Sequence, residues 1–219
     1  MNLINIKLTE DGSSTLYRPD LDEHYHSIHG AVQESMHVFI DAGLKKCTSN
    51  SLKIMEIGFG TGLNALLTIL NADNKQIIYH TIEKYPLNKD IINDINYPYI
   101  INSEKAANYF KKIHETPWNT DCNIDTNFIL KKIEVDLLEH NFEEGYDLIY
   151  FDAFAPNKQP ELWNEDIFQK LFKSMNFNAI LTTYCAKGSI RRTMISCGFK
   201  VERIAGPPGK REMLRGIKI

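Results

Sequence analysis

The sequence predicts an α/β fold: a mostly parallel, seven-stranded sheet that ends in an antiparallel hairpin, with helices on both faces. Three observations predict it. Short, β-branched apolar runs alternate with helix-compatible segments along the chain, the pattern of βαβ units. One run, Asp147-Leu148-Ile149-Tyr150-Phe151, is nearly all apolar after its first residue, as a strand covered on both faces must be. The last two runs are separated only by Gly206-Pro207-Pro208-Gly209 and its neighbours, a link that suits a hairpin and is too short for a crossover.

The elements follow in order. Residues 1–29 form a small N-terminal extension, and 30–219 form the main domain, opening with an amphipathic helix over 30–42. The apolar run 52–57 is a strand that stops at a glycine turn, and 63–71 is the helix after it. The β-branched run 76–83 is the second strand, followed by helices over 87–94 and 103–113. Residues 114–126 are a polar loop. Strands cover 127–134 and 146–152, a helix covers 161–175, and a strand covers 178–184. A helix over 187–197 leads to the hairpin strands 199–205 and 212–219.

Bulk properties narrow the function. A chain of 219 residues suits one well-buried domain. Hydrophobic content of 43% and charged content of 24% are ordinary for a soluble protein. No apolar stretch approaches the roughly 20 residues that span a bilayer, so no membrane partner is expected. The N-terminus lacks the basic and apolar regions of a signal peptide. Cys47, Cys122, Cys185 and Cys197 are far apart with no CxxC pair, which argues against disulfides or a zinc knuckle and fits a reducing cytoplasm. Histidines do not cluster with acids at ligand spacing, so no metal is expected. No Ser or Cys sits in a nucleophile elbow. Net charge is −3, yet Lys187–Ile219 carries nine Lys and Arg against two Glu. That segment reads as a phosphate-facing patch or as a solvated helix and strand face.

The chemistry concentrates where strand 52–57 ends. Glu56-Ile57-Gly58-Phe59-Gly60-Thr61-Gly62-Leu63-Asn64 reads as strand, tight turn and helix N-terminus, a geometry that brings backbone close to a nucleoside. Leu63 stands where a dinucleotide fingerprint has its third glycine, so GxGxxG is not satisfied. A carboxylate at Glu56 would be unwelcome beside a pyrophosphate and can accept from a cationic amine, directly or through water, so the ligand reads as a nucleoside carrying an ammonium. Without that acid the turn would be any strand-to-helix connection. Glu83, at the end of strand 76–83, can accept from both ribose hydroxyls, or be a solvated loop residue. Asp136 can reach an adenine amine, or cap a helix over 137–141.

Asp152 ends the strand expected beside the glycine-turn strand, where open α/β sheets bind ligands. Backed by Phe154 and stiffened by Pro156, it suits holding an amine and drawing off its proton; a capping Asp before a Pro turn is the alternative. Tyr25-His26-Ser27 and Glu34-Ser35-Met36-His37, polar residues in an otherwise amphipathic N-terminal region, could wall a substrate pocket. His37, Trp118 and Trp163 read as packing residues. Lys210 and Arg211 place two cations at the hairpin rim, where Arg191 and Arg192 could join them on phosphates, unless the turn is merely solvated.

The runs Glu56–Asn64, Glu83-Lys84-Tyr85-Pro86-Leu87, Asp152-Ala153-Phe154-Ala155-Pro156-Asn157-Lys158 and Lys210-Arg211-Glu212-Met213 together resemble the MnmC-type methyltransferase family, in order across roughly residues 14–216. That family is the methyltransferase module of the bifunctional enzyme that makes 5-methylaminomethyl-2-thiouridine at the tRNA wobble position. The resemblance implies a Rossmann-like class I methyltransferase fold and S-adenosylmethionine as cofactor. It implies that the Gly58–Gly62 loop, Glu83 and Asp136 hold the cofactor; together with the reading of the residues above, the expected cofactor contacts are Glu56, Gly58, Phe59, Gly60, Thr61, Gly62, Asn64, Glu83, Lys84 and Asp136. It implies that Asp152 contacts the acceptor amine and that the substrate is tRNA; together with the reading of the residues above, the expected substrate contacts are Tyr25, His26, Phe154, Pro156, Lys158, Arg191, Lys210 and Arg211. The bifunctional enzyme's flavin-dependent oxidase module has no counterpart before Ile219, so an oxidoreductase step, where needed, is expected from a separate protein. The rival readings are a methyltransferase of a small-molecule or protein amine, and a non-enzymatic nucleoside- or RNA-binding module.

Overall fold

In the computed structural model, which describes residues 4–219, the N-terminal segment is a three-stranded antiparallel sheet of β1 (Asn5–Leu8), β2 (Ser14–Arg18) and β3 (Glu23–His24). Helix α1 (Ala31–Ser35) follows and continues as a π-helix over Met36–Asp41. The main sheet is built from β4 (Ser51–Ile57), β5 (Gln76–Glu83), β6 (Asp121–Asp125), β7 (Phe128–Glu134), β8 (Tyr146–Phe151), β9 (Met175–Thr183), β10 (Phe199–Ala205) and β11 (Glu212–Lys218). Its order is β10-β11-β9-β8-β4-β5-β7-β6.

The centre is parallel: β7, β5, β4, β8 and β9 pair in one direction. β11 inserts antiparallel between β9 and β10, so the expected terminal hairpin is present. The sheet has an eighth strand, because β6 lies inside the expected polar loop 114–126. It pairs antiparallel with β7 at the sheet edge, and of its five residues only Ile124 is buried. An edge strand with polar residues reads as loop because water faces most of it. Helix 161–175 starts later than expected, at α6 (Glu165–Ser174), where the Asn164 side chain accepts from the Ile167 amide as an N-cap; β9 correspondingly starts at Met175.

Helices cover both faces, and the short α3 (Lys89–Asn93) and α4 (Tyr97–Ile100) follow β5. α2 (Leu63–Leu70) is buried at every position but its last, because it is wedged between β4, α1 and α5 (Ala106–Glu115). On the other face, α6 and α7 (Gly188–Ser196) bury Ile167, Phe168, Leu171, Ile190 and Met194 against Met55, Ile149 and Phe151. These two apolar layers fix the height of the parallel strands. The chain leaves β4 toward β5 on one side and returns to β8 on the other. The crevice at that switch point is where the fold binds ligands.

Candidate active site

At this switch point lies a cavity of about 540 Å³. One wall is the glycine turn. Gly58, Gly60 and Gly62 have φ of +90°, +50° and +73°, and the turn is packed tightly on both sides. A Cβ on Gly58 would stand 2.6 Å from the Asp152 carbonyl oxygen, and one on Gly62 3.0 Å from the His114 ring. Only glycine brings β4 this close to the chain leaving β8. His114 Nε2 donates to the Thr61 carbonyl (3.1 Å), and the buried Lys132 ammonium donates to the His114 carbonyl (3.2 Å) beneath the Phe59 ring. Burial drives the His114 imidazole down to about 4, so it stays neutral, and drives Lys132 down to about 8.

Glu83 ends β5 with its carboxylate at the cavity edge, where it accepts from the Gly60 amide (3.0 Å) and the Tyr85 amide (2.9 Å). Each oxygen keeps a free lone pair for a ligand hydroxyl. Asp136 sits opposite. Lys84 reaches it at 2.6 Å and holds its carboxyl below the usual range. Its other oxygen accepts from the Leu138 amide (3.0 Å) and closes a turn, not a helix; the N-cap reading of Asp136 is thereby corrected. Tyr85, Leu137 and Leu138 bring apolar surface to this end of the cavity.

Asp152 lies at the other end. Its Oδ2 accepts from the Asn64 amide group at 2.8 Å, and α2 and the end of β8 hold the pair. Burial pushes the Asp152 carboxyl up to about 7, against a lowering by Asn64. Phe154, half-buried on the cavity wall, packs edge-on against Tyr25, with ring centroids 5.1 Å apart. Tyr25 also covers Gly60. His26 is buried in the same wall and is held neutral by desolvation, its pKa near 4. The extension thus forms the roof of this cavity.

Several expected contacts lie elsewhere. Glu56 is fully buried beneath the cavity and does not line it, so the expected direct contact with a ligand amine is corrected. Lys210 reaches the cavity, but its ammonium is bound to Glu34 at 2.7 Å and lies 4.1 Å above the Tyr184 ring. At the hairpin rim Lys210 is thus engaged in an ion pair. Arg211 beside it is exposed and off the cavity; Pro156, Lys158 and Arg191 are half-buried and also off it, and Lys158 stands 3.6 Å from Asp22. Gly62 supports the turn from behind. Glu34, expected among the residues that could wall a pocket, lines the cavity; His114, Lys132 and Tyr184 were not anticipated. Glu34 is an acid in an amphipathic helix, and nothing local to its segment signals a partner 176 residues away. The packing expected of His37, Trp118 and Trp163 is present: His37 bonds the Ala205 carbonyl, Trp118 meets Phe59, and Trp163 donates to the Phe154 carbonyl.

A parallel sheet with an inserted antiparallel β11, and a glycine-turn cavity at its switch point, are the architecture of the class I methyltransferase fold. A family model described as S-adenosyl-L-methionine-dependent methyltransferase matches residues 101–219, more than half of the chain. The chain belongs to that family. It is 29% identical to the "tRNA 5-methylaminomethyl-2-thiouridine biosynthesis bifunctional protein MnmC" of Marinomonas sp. (strain MWYL1), over 94% of this chain and 32% of that protein. To the protein of the same name from Aeromonas salmonicida it is 27% identical, over 100% of this chain and 36% of that one. It therefore spans about a third of the length of these curated relatives. Among solved structures, MnmC2 from Aquifex aeolicus superposes with a TM-score of 0.81 at 25% identity, covering 99% of this chain and 70% of that one. Spermidine synthase from Thermotoga maritima, at 14% identity and a TM-score of 0.54 over 100% of this chain and 70% of its own, shares the fold.

S-adenosylmethionine is the cofactor of the family, and the residues present fit it. The three-glycine cradle has no room for Cβ atoms, Glu83 has lone pairs free for ribose hydroxyls, and apolar surface flanks Asp136. Among the described residues no helix is long and apolar enough to cross a membrane.

Proposed function

We propose that the chain methylates the amine of 5-aminomethyl(-2-thio)uridine at the tRNA wobble position, giving the 5-methylaminomethyl nucleoside. The observation that carries this reading is Asp152: a desolvated carboxyl, oriented by Asn64, at the end of the cavity away from Glu83 and Asp136. The cofactor supplies an electrophilic sulfonium methyl group. The turn from Gly58 to Gly62, with Glu83, Lys84 and Asp136, would hold it.

Asp152 then has two tasks. It accepts a hydrogen bond from the acceptor's ammonium group, fixing its direction, and it takes the proton that must leave before the nitrogen lone pair is free. A carboxyl poised near 7 suits the second task, because a base with its pKa near the working pH balances proton affinity against the fraction ionised. Tyr25, Phe154 and Tyr184 wall the space around it and exclude water. The names of the relatives supply the substrate class. Exposed Arg211 and Arg192, with half-buried Arg191, offer cations outside the cavity to the phosphates of a large polyanion. An oxidoreductase step that exposes the amine would come from a separate catalytic unit, and a tRNA substrate together with four free cysteines fits the cytoplasm.

The test is transfer of labelled methyl from S-adenosylmethionine to tRNA carrying 5-aminomethyluridine, with nucleoside mass spectrometry of the product. We expect 5-methylaminomethyluridine. Label on small amines or proteins with none on this tRNA would overturn the substrate assignment. Cofactor binding without transfer to any acceptor would overturn the enzymatic one.

A further inference from the structure

The cavity wall near Asp152 holds an ion pair that the reaction proposed above does not use. Glu34 lines the cavity although it is only 7% exposed, and its Oε1 accepts from the Lys210 ammonium at 2.7 Å. Its Oε2 accepts from the Ser27 amide at 2.8 Å. The Lys210 ammonium stands 4.1 Å above the Tyr184 ring, and the Tyr184 hydroxyl donates to the Ala153 carbonyl at 2.9 Å. Tyr184 thus ties the pair to the residue next to Asp152. Besides burial and Asn64, both charges act on the Asp152 carboxyl, Glu34 raising it and Lys210 lowering it.

Two distant segments hold the pair in place. Glu34 belongs to α1. Lys210 sits in the link between β10 and β11, where its amide donates to the Pro207 carbonyl at 2.9 Å. Gly209 lets that link press against the N-terminal segment: at φ +82°, a Cβ there would stand 2.3 Å from the His29 ring.

An ion pair this deep adds little net stability, because desolvation of the two charges offsets their attraction. Each partner nevertheless keeps hydrogen-bonding capacity. Each Glu34 oxygen has a lone pair beyond the one it uses, and two of the three Lys210 N–H groups have no hydrogen-bond partner among the described residues. The wall therefore presents an acceptor and a donor side by side. Together they carry no net charge, so they draw in neither a phosphate nor a cofactor carboxylate.

Uracil has the matching edge. An amine carried on C5 has the C4 carbonyl beside it and N3–H beyond. That acceptor and donor meet a donor and an acceptor. Cytosine offers the reverse, an amino group at C4 and a bare N3, so its donor faces the ammonium and its lone pair faces the carboxylate.

We propose that Glu34 and Lys210 read this edge of the acceptor base, Lys210 donating to O4 and Glu34 accepting from N3–H, and so admit uracil and refuse cytosine. The assignment rests on the reading of the acceptor as a wobble uridine whose amine meets Asp152. It leaves the 2-position, oxo or thio, unread.

The test uses the full chain loaded with S-adenosylhomocysteine and two anticodon hairpin RNAs that differ only at the wobble base, 5-aminomethyluridine or 5-aminomethylcytidine. Fluorescence anisotropy measures binding, in about 0.2 M salt to screen backbone contacts. Wild type should prefer the uridine RNA by about 30-fold or more, the discrimination expected of a matched donor and acceptor. Glu34→Gln keeps the reach and can turn an N–H toward cytosine N3, so the preference should fall below about threefold. Lys210→Met should weaken the uridine RNA by about tenfold and leave the cytidine RNA within about threefold. A 2-thio group on the uridine should change wild-type binding by less than about threefold. A pair with only a structural role would weaken both RNAs together in the variants; that result, or equal binding of the two RNAs by wild type, would overturn the proposal. So would a tenfold loss of S-adenosylhomocysteine affinity in Lys210→Met, which would assign Lys210 to the cofactor. Methyl transfer is scored separately on the same RNAs. Base preference without transfer would uphold the pair and overturn the reaction, whereas transfer without base preference would overturn the pair alone.

Discussion

Replacing Asp152 with Asn should cost activity and add stability, and the stability gain should depend on pH in one direction. Burial raises this carboxyl from an ordinary 3.8 to about 7. The unfolded chain releases the proton near 3.8 and the folded chain near 7. Between those values the folded state holds the extra proton, so stability is full below about pH 3.8 and declines as pH rises to about 7. Each pH unit of that window is worth about 1.4 kcal/mol, so the ionised carboxylate costs the fold about 4 kcal/mol once fully formed. The introduced amide is isosteric, still offers an oxygen to Asn64, and does not ionise. The difference in unfolding free energy, variant minus wild type, should therefore grow by about 4 kcal/mol between roughly pH 4 and pH 8. Urea denaturation at a series of pH values measures it directly. With a slope of about 2 kcal/mol per molar urea, the midpoint difference should move by roughly 2 M. Methyl transfer should fall by about 10²- to 10⁴-fold, the usual worth of a positioned acid–base group. A stability difference that stays flat over this range would mean that the carboxylate is solvated and ionised in the fold. The reasoning that makes it the proton acceptor would then fail.

Two further outcomes test the architecture of the site. Gly58→Ala should destabilise by about 2–4 kcal/mol, because a Cβ at φ +90° meets the Asp152 backbone oxygen at 2.6 Å and costs both strain and overpacking. Gly60→Ala should cost less, since its 3.1 Å contact is the movable Tyr25 ring; the reverse order of denaturation midpoints would contradict the close-approach argument. Lys210→Met strips the partner from Glu34 and removes a cation that lowers Asp152. It should cost on the order of 2 kcal/mol of stability and shift the acidic limb of the pH–rate profile upward, whereas an unmoved limb would show that Lys210 lies too far from Asp152 to matter electrostatically.

The parallel sheet, the glycine turn and Asp152 were legible because each is written locally. A strand buried on both faces needs a continuous apolar run, as at Leu148–Phe151, and a turn with positive φ needs glycine, as at Gly58. Glu83 was found by its spacing from that turn and Asp136 by its place just after a strand, since the ends of parallel strands meet the cavity in this fold. β6 was missed because Asp121, Asn123 and Asp125 obscure one buried Ile124. Glu56 was found but misplaced. Sequence shows that an acid precedes the turn, and only the strand register shows that its side chain points away from the cavity, toward α2. The basic hairpin rim was found as well, but Lys210 turns inward because Glu34 offers it a carboxylate on a segment far away in the chain.

That last case bears on where substrate choice resides. The end of the cavity with Glu83, Lys84 and Asp136 is built from consecutive βα units of the main sheet. The end with Asp152 is assembled from parts outside those units. Tyr25 and His26 come from the N-terminal sheet, Glu34 from α1, and Lys210 from the link between β10 and β11. Asp22 and Lys158 tie the same sheet to the loop after β8, and Arg18 lies within 5.9 Å of both the Tyr85 and Phe154 rings. Grafts of residues 4–35 between relatives should therefore transfer acceptor preference together with the matching β10–β11 link, because Glu34 without Lys210 is a buried, unpaired acid beside Asp152. A graft of the N-terminal segment alone that changed the acceptor with no loss of stability would show that the two segments are not coupled through this ion pair.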